Sequence, residues 1–234
     1  MISIIIPVYR SEETILRCLQ SIEESSQIAQ VPVEAVIVFD GPDAATTKKV
    51  DHFGNHTRIQ VTTHHQPHGG IAAARNTGIQ LASHEVLTFL DADDEITPDR
   101  LAFARTIAPA TIAIGHQQLA DPTKLLPGLH ASQQGQRTIP YVTSLVTTRE
   151  RLQALGPLDE SLTLGDDWDL LLRARRSGID IQFLDQIWTI RHVNESNASH
   201  QTSTLAGDYL AGIRQHIRTL KTQDEGQQSK SDHS

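Results

Sequence analysis

The apolar run Val86-Leu87-Thr88-Phe89-Leu90 ends abruptly in Asp91-Ala92-Asp93-Asp94, and this junction constrains the fold more than any other stretch of the chain. Valine, threonine and phenylalanine favour extended backbone, and a short, nearly continuous apolar run predicts a strand buried on both faces. The carboxylates then stand at its mouth. Side chains two apart on extended backbone point the same way, which sets Asp91 beside Asp93 at the carboxyl end of a central strand. In open α/β sheets ligands bind along that edge. Like charges held so close raise one another's pKa, so a divalent cation is expected to relieve the repulsion. Mg²⁺ and Mn²⁺ take oxygen ligands and are commonly held by one or two carboxylates plus the phosphates of a substrate. The competing reading is helix capping by Asp94 or Thr97, ahead of the helix that Pro98 opens. Capping accounts for one of the acids and leaves two.

The chain before this junction alternates strand and helix patterns. Residues 2–8 are a β-branched run ended by Pro7, and a helix is expected from Ser11, with Ile15, Leu16, Leu19 and Ile22 forming its apolar stripe. A second strand at 33–39 closes in the turn Asp40-Gly41-Pro42-Asp43, followed by a helix at 44–53 and a third strand at 58–62. This β-α-β-α-β order predicts parallel strands with covering helices. Gly69-Gly70 then feed a helix of small residues, where the glycines offer a phosphate cradle at a helix N-terminus. That helix carries one long cation, Arg75, for which a surface ion pair is the plainer explanation.

Beyond the acidic junction the pattern predicts a helix at 98–107, a strand at 110–114, a long loop at 120–137, a strand at 139–147 and a short helix at 149–155 stopped by Gly156-Pro157. A second acidic cluster follows, Asp166-Asp167-Trp168-Asp169, at the start of another helix. The helix dipole favours acids there, yet three in four residues exceed what capping needs, and one of them facing the first cluster would serve as a general base. Residues 179–190 read as two short strands or one bent one, ending at His192, which suits a metal ligand or a phosphate contact. An amphipathic helix is expected around 205–220, and 223–234 as a disordered tail.

Composition narrows the class. A chain of 234 residues with 38% hydrophobic and 21% charged residues is globular, and the expected organisation is one domain over 1–222. Within it the expected division is 1–117, 118–200 and a terminal helix at 201–222. A formal net charge of −8 speaks against nucleic acid as partner. No run is long enough to span a membrane, and 2–8 lacks a signal peptide's basic flank, so a cytoplasmic protein is expected. Peripheral membrane contact through the 205–220 helix and self-association stay open.

Taken together, residues 3–9, 36–41, 69–78, 90–94, 156–162 and 165–173 resemble the GT-A fold glycosyltransferases of family 2, inverting enzymes that use nucleotide-sugars. The resemblance implies an α/β fold with a mostly parallel, Rossmann-like sheet and helices on both faces. It also implies a nucleotide-sugar donor, a carbohydrate or glycolipid acceptor, and Mn²⁺ or Mg²⁺ as cofactor. Carried over residue by residue, Asp91 and Asp93 hold the metal and donor, His192 joins the metal, and Pro7, Tyr9, Asp40 and Arg75 line the nucleotide pocket. Asp167 takes the place of the catalytic base. The family's Asp-Asp-Gly turn is here Phe39-Asp40-Gly41, so only its second acid is kept. Uridine is the expected base, read by Asp40 through the imide N–H and by Arg75 through a carbonyl. Two rivals are a sugar nucleotidyltransferase, whose glycine-rich basic signature 6–13 does not supply, and a non-catalytic binding subunit on the same fold.

Overall fold

The computed structural model describes residues 1–108, 111–121, 142–162 and 165–193. Most of the loop expected at 120–137, the start of the strand expected at 139–147, and the C-terminal helix and tail lie outside them.

Among the described residues, eight strands form one mixed sheet in the order β3-β2-β1-β4-β7-β6-β8-β5. Its first half is parallel: β1 (Ile2–Val8) lies between β2 (Val33–Asp40) and β4 (Val86–Phe89), and β3 (Gln60–Gln66) flanks β2. The second half mixes directions. β7 (Leu145–Thr148) runs antiparallel to β4 and to β6 (Ile112–Leu119), β8 (Ile181–Arg191) runs parallel to β6, and the short β5 (Glu95–Ile96) is antiparallel to β8.

Strand periodicity sorts the core into two layers. Ile2, Ile4, Ile6 and Val8 of β1 face one side, where Ile15, Leu19 and Ile22 of α1 (Ile15–Ala29), Val50 of α2 (Ala44–Gly54) and Leu101 of α4 (Pro98–Ala104) cover them. Ile5 and Val36 face the other side, against Ala72 of α3 (Ile71–Leu81), Leu152 of α5 (Arg149–Leu155) and Leu170 of α6 (Asp166–Arg176). A β-carbon on Gly78 would strike Ile5, so glycine lets α3 lie flat on β1. Arg75, one turn earlier, is thereby drawn under the strand ends.

Several boundaries differ from the sequence expectation, each for a local reason. The Ser11 carbonyl takes the N–H of Thr14 and Ile15 (3.1 and 3.0 Å) in a turn, so α1 begins only at Ile15. Thr57 and Arg58 are tied to Glu23, which delays β3 to Gln60. α4 tightens through Thr106 N–H to Phe103 O (2.8 Å) and stops at Ala104. β6 runs on through polar residues to Leu119 because β8 pairs it again from His116 to Leu119. Of the strand expected at 139–147, the described part opens with a single 3-10 turn (Val142–Ser144) ahead of β7. The stretch at 179–190 is one strand, with its register against β6 shifting around His116.

Arg100 holds the end of β4 in place. Its fully buried guanidinium donates to the carbonyls of Thr143 (2.5 Å), Phe89 (2.7 Å) and Leu145 (3.0 Å) and to the hydroxyls of Thr88 and Thr189. Burial pushes its pKa down to about 9. Orphan carbonyls where β4 leaves the ladder are satisfied this way, and the acidic junction one residue beyond Leu90 inherits a fixed position.

Candidate active site

The acidic junction is a turn rather than extended chain: Asp94 N–H donates to Asp91 O at 3.1 Å. The expected alternation of Asp91 and Asp93 is therefore not what brings them together. The turn draws in a third acid, and Asp91, Asp93 and Asp94 each offer a carboxylate oxygen within 4.8 Å of the others. Burial, and then Asp91, raise the Asp93 carboxyl to about 6. Asp94 is pushed well above the usual carboxylate range by burial and by both neighbours. Thr97 occupies the N-cap position of α4, as one of the two capping candidates, but its side chain makes no cap hydrogen bond. Asp94 accepts the His192 N–H (3.0 Å), and the Thr97 hydroxyl donates to Ile187 O (2.7 Å). Three oxygen donors of this kind, repelling one another when ionised, are a donor set that fits Mg²⁺ or Mn²⁺.

Two residues that the sequence did not single out support this turn from α1. Arg17 donates to the Asp93 carbonyl at 2.6 Å, and the buried Cys18 thiol lies 3.7 Å from the Asp91 carbonyl. His192 reaches the turn through its backbone, while its imidazole Nε2 meets Glu95 Oε1 at 2.5 Å.

The second cluster is sorted by its partners. Asp169 pairs with Arg173 one turn on, at 2.8 Å. Asp166 pairs with Arg75, also at 2.8 Å. Asp167 makes no ion pair among the described residues; its Oδ1 accepts the Trp168 N–H at 2.9 Å. Burial, and then the Asp166 charge, raise its carboxyl to about 6, with Arg75 opposing. All three acids lie in the first turn of α6, where the helix dipole favours them, and Gly165 at the N-cap position makes no side-chain cap bond, so what sorts the three is their partners.

Arg75 is no surface ion pair. It is 5% exposed and bridges the clusters, reaching Asp166 with one terminal nitrogen and Asp91 at 3.0 Å with the other. Burial works against its charge, but Asp91, Asp166 and Asp167 outweigh it and raise the pKa above its ordinary value. Asn76 fastens the same two halves. It donates to Leu158 O and Glu160 Oε1 (2.9 and 2.8 Å) and accepts the Leu158 N–H (2.9 Å).

At the other end of the strand edge, Asp40 is buried and saturated. Oδ1 accepts Gln66 Nε2 (2.9 Å) and Gly69 N–H (2.8 Å); Oδ2 accepts Gly70 N–H (2.9 Å) and lies 2.8 Å from His68 Nδ1. The glycine N–H groups expected to cradle phosphate are thus spent on Asp40. Tyr9 follows β1 and is 47% exposed, its ring stacked on His68 with centroids 4.6 Å apart. Pro7 lies past the last β1–β4 pair, so its missing N–H costs no ladder bond on that side.

A mixed sheet with a parallel nucleotide-side half, helices on both faces and an acidic triad at the central strand's end defines the GT-A class of fold. Residues 3–105 match the model of the glycosyl transferase family 2. The chain is 35% identical over 98 residues to the uncharacterized glycosyltransferase EpsJ of Bacillus subtilis, covering 42% of this chain and 27% of that protein. It is 30% identical over 171 residues to the pre-mycofactocin glycosyltransferase of Mycobacterium tuberculosis, covering 63% and 35%. The crystal structure of S. aureus TarS 1-349 in complex with UDP-GlcNAc superposes with a TM-score of 0.66 at 18% identity, over 85% of this chain and 60% of that one. Its first half is thus similar to the family 2 glycosyltransferases and its fold is of the GT-A class, and the chain spans about a third or less of the length of these curated relatives. Among the described residues no helix is long and apolar enough to cross a membrane.

Proposed function

We propose that the chain transfers a glycosyl group from a nucleoside-diphosphate donor, a UDP-sugar, to an acceptor hydroxyl with inversion. The observation that carries this reading is the Arg75 bridge, which puts a metal-suited acidic triad and a buried, unpaired carboxylate into one site. In it Asp91 and Asp93, with His192 at their rim, hold Mn²⁺ or Mg²⁺, and Asp94 is added to that set. The ion, when bound, stabilises the charge that develops on the departing diphosphate. Asp91 and Arg75 fix the position of the donor, and Tyr9, Pro7 and Asp40 shape its nucleoside end. Asp167 takes the proton from the acceptor hydroxyl as that oxygen attacks the anomeric carbon from the face opposite the diphosphate. A carboxylate raised to about 6 is a stronger base than an ordinary one and is still ionised at neutral pH. The choice of uridine is supported by the likeness to TarS, a protein solved with UDP-GlcNAc. Acceptors are expected among carbohydrates or glycolipids, with the protein acting in the cytoplasm.

The test is UDP release from a panel of UDP-sugars with Mn²⁺, with and without added acceptor saccharides, for the wild type and Asp167→Asn. Metal-dependent release that Asp167→Asn lacks supports the assignment. Absence of both donor binding and release from every UDP-sugar would overturn it.

A further inference from the structure

We propose that Arg17 is a positioning residue for the divalent cation, holding the acidic turn in its ion-binding shape before an ion arrives; the inference rests on the metal site proposed above. Among the described residues β5 is the last strand of the sheet and pairs with β8 alone, so its other side has no strand partner. Side chains of α1 meet that side and the turn before it. The Cys18 thiol donates to Asp91 O (3.7 Å), and Arg17 Nη2 donates to Asp93 O (2.6 Å). The Ser21 hydroxyl accepts the Ile96 N–H (3.1 Å), and the Ser25 hydroxyl donates to Ile96 O (2.9 Å). Positions 17, 18, 21 and 25 fall within about 100° of the helix circumference, so one stripe makes all four bonds. That stripe accounts for two buried serines on the core side of an otherwise apolar face.

Of the four, Arg17 acts on the triad most directly. Asp93 carries both the carbonyl that Arg17 holds and one of the three carboxylates, and fixing the carbonyl fixes the backbone rotation that aims the side chain. The Arg17 Nε also lies 3.7 Å from Glu95 Oε1, so one guanidinium spans the turn from Asp93 to Glu95. Ionised carboxylates within 4.8 Å of one another repel and tend to spread the turn. A clamp made during folding removes that reorganisation from the binding step. The charge of Arg17 works in the opposite sense, because a cation beside the triad repels an arriving ion. Removing Arg17 therefore has opposite signs under the two effects. A charge-assisted bond of 2.6 Å on the backbone of a ligand residue is expected to outweigh a charge that is 36% exposed and screened by solvent.

Calorimetric titration of Mn²⁺ into the wild type, Arg17→Met, Arg17→Lys and Ser25→Ala tests this, together with hydrogen exchange of the Asp94 amide in the metal-free proteins. Arg17→Met should bind Mn²⁺ roughly tenfold more weakly although it removes a like charge. Its Asp94 N–H, which closes the turn on Asp91 O, should exchange faster without metal. Arg17→Lys keeps the charge and a donor and should recover part of the loss. Ser25→Ala breaks the same stripe at Ile96, beyond the triad, so it should lower the unfolding temperature and leave Mn²⁺ affinity unchanged. Arg17→Met that binds Mn²⁺ as tightly as the wild type, or more tightly, overturns the inference and leaves the metal site standing. Equal weakening in Ser25→Ala also overturns it, since Arg17 would then be a general brace of α1. Failure of the wild type to bind Mn²⁺ overturns the metal site and this inference together.

Discussion

Replacing Asp167 by Asn separates catalysis from stability, because the same burial that suits this carboxylate to its proposed task also destabilises the fold. Its pKa is raised from an ordinary 3.8 to about 6, first by burial and then by Asp166, with Arg75 opposing. Between these values the folded protein binds more protons than the unfolded chain, so stability falls as pH rises through about 4 to 6. Above that window the ionised carboxylate costs about 3 kcal/mol, at 1.36 kcal/mol per pKa unit. The amide has nearly the same shape and no charge to desolvate. Asp167→Asn should therefore gain up to about 3 kcal/mol over the wild type above pH about 7 and little below pH about 4. At roughly 2–4 °C per kcal/mol for a domain of this size, thermal unfolding should rise by several degrees at the higher pH alone.

Activity should move the other way. With no proton acceptor, kcat should fall by roughly 10²–10⁴-fold, while binding of Mn²⁺ and UDP changes little. In the wild type, kcat/KM should climb with pH through about 6 as the base ionises. Unfolding measured in parallel at the two pH values, with UDP release on the same preparations, decides the matter. A variant equally destabilised at both pH values would refute the burial argument. One that retains near-normal transfer would show that the base is another residue.

Mn²⁺ should raise the unfolding temperature of the wild type, by about 2.7 kcal/mol of stability at a hundred times its Kd, and excess EDTA should abolish turnover. Asp93→Asn should be no less stable than the wild type without metal, since it removes one repelling charge, yet should lose the Mn²⁺ response; an unchanged response in calorimetry would exclude the triad as the metal site. Arg75→Met strands two carboxylates and should cost about 3–5 kcal/mol in urea unfolding; a loss under 1 kcal/mol would mean that the bridge is open to solvent. Gly78→Ala should cost about 1–3 kcal/mol by driving α3 off Ile5, and a neutral effect would contradict the close packing of that helix on β1.

What the sequence revealed follows from where each signal resides. β1, β2 and β4 were legible because strands buried on both faces write themselves as unbroken apolar runs, such as Ile4-Ile5-Ile6 and Val36-Ile37-Val38. The polar ends of β3 and β6, His64-His65-Gln66 and His116-Gln117-Gln118, were not, since a neighbouring strand keeps them extended and no local preference does. Asp91 and Asp93 stand out through their spacing, though a turn and not strand alternation gathers them, and the same turn brings in Asp94, which the sequence offers as a helix cap. Likewise nothing local distinguishes Asp166, Asp167 and Asp169. Asp166 is set apart by Arg75, 91 residues away, which leaves the choice of Asp167 to resemblance until the partners are seen.

The Arg75 bridge also explains how so many acids share one cleft. A buried ion pair is poor evidence for stability, because desolvating both partners consumes most of the attraction. Its value here is positional. One guanidinium, fixed on a helix that Gly78 lets lie flat on β1, neutralises one acid of each cluster, Asp91 and Asp166. The remaining acids Asp93, Asp94 and Asp167 keep raised pKa values and so retain affinity for a proton. Were Arg75 to pair with Asp167 instead, the proposed base would be held ionised and weak, and Asp166, one position and about 100° away around the helix, would face the acceptor side differently. The pairing of Arg75 with Asp166 thus leaves Asp167, of the two, as the carboxylate without an ion pair among the described residues, which is why it is the one proposed as base.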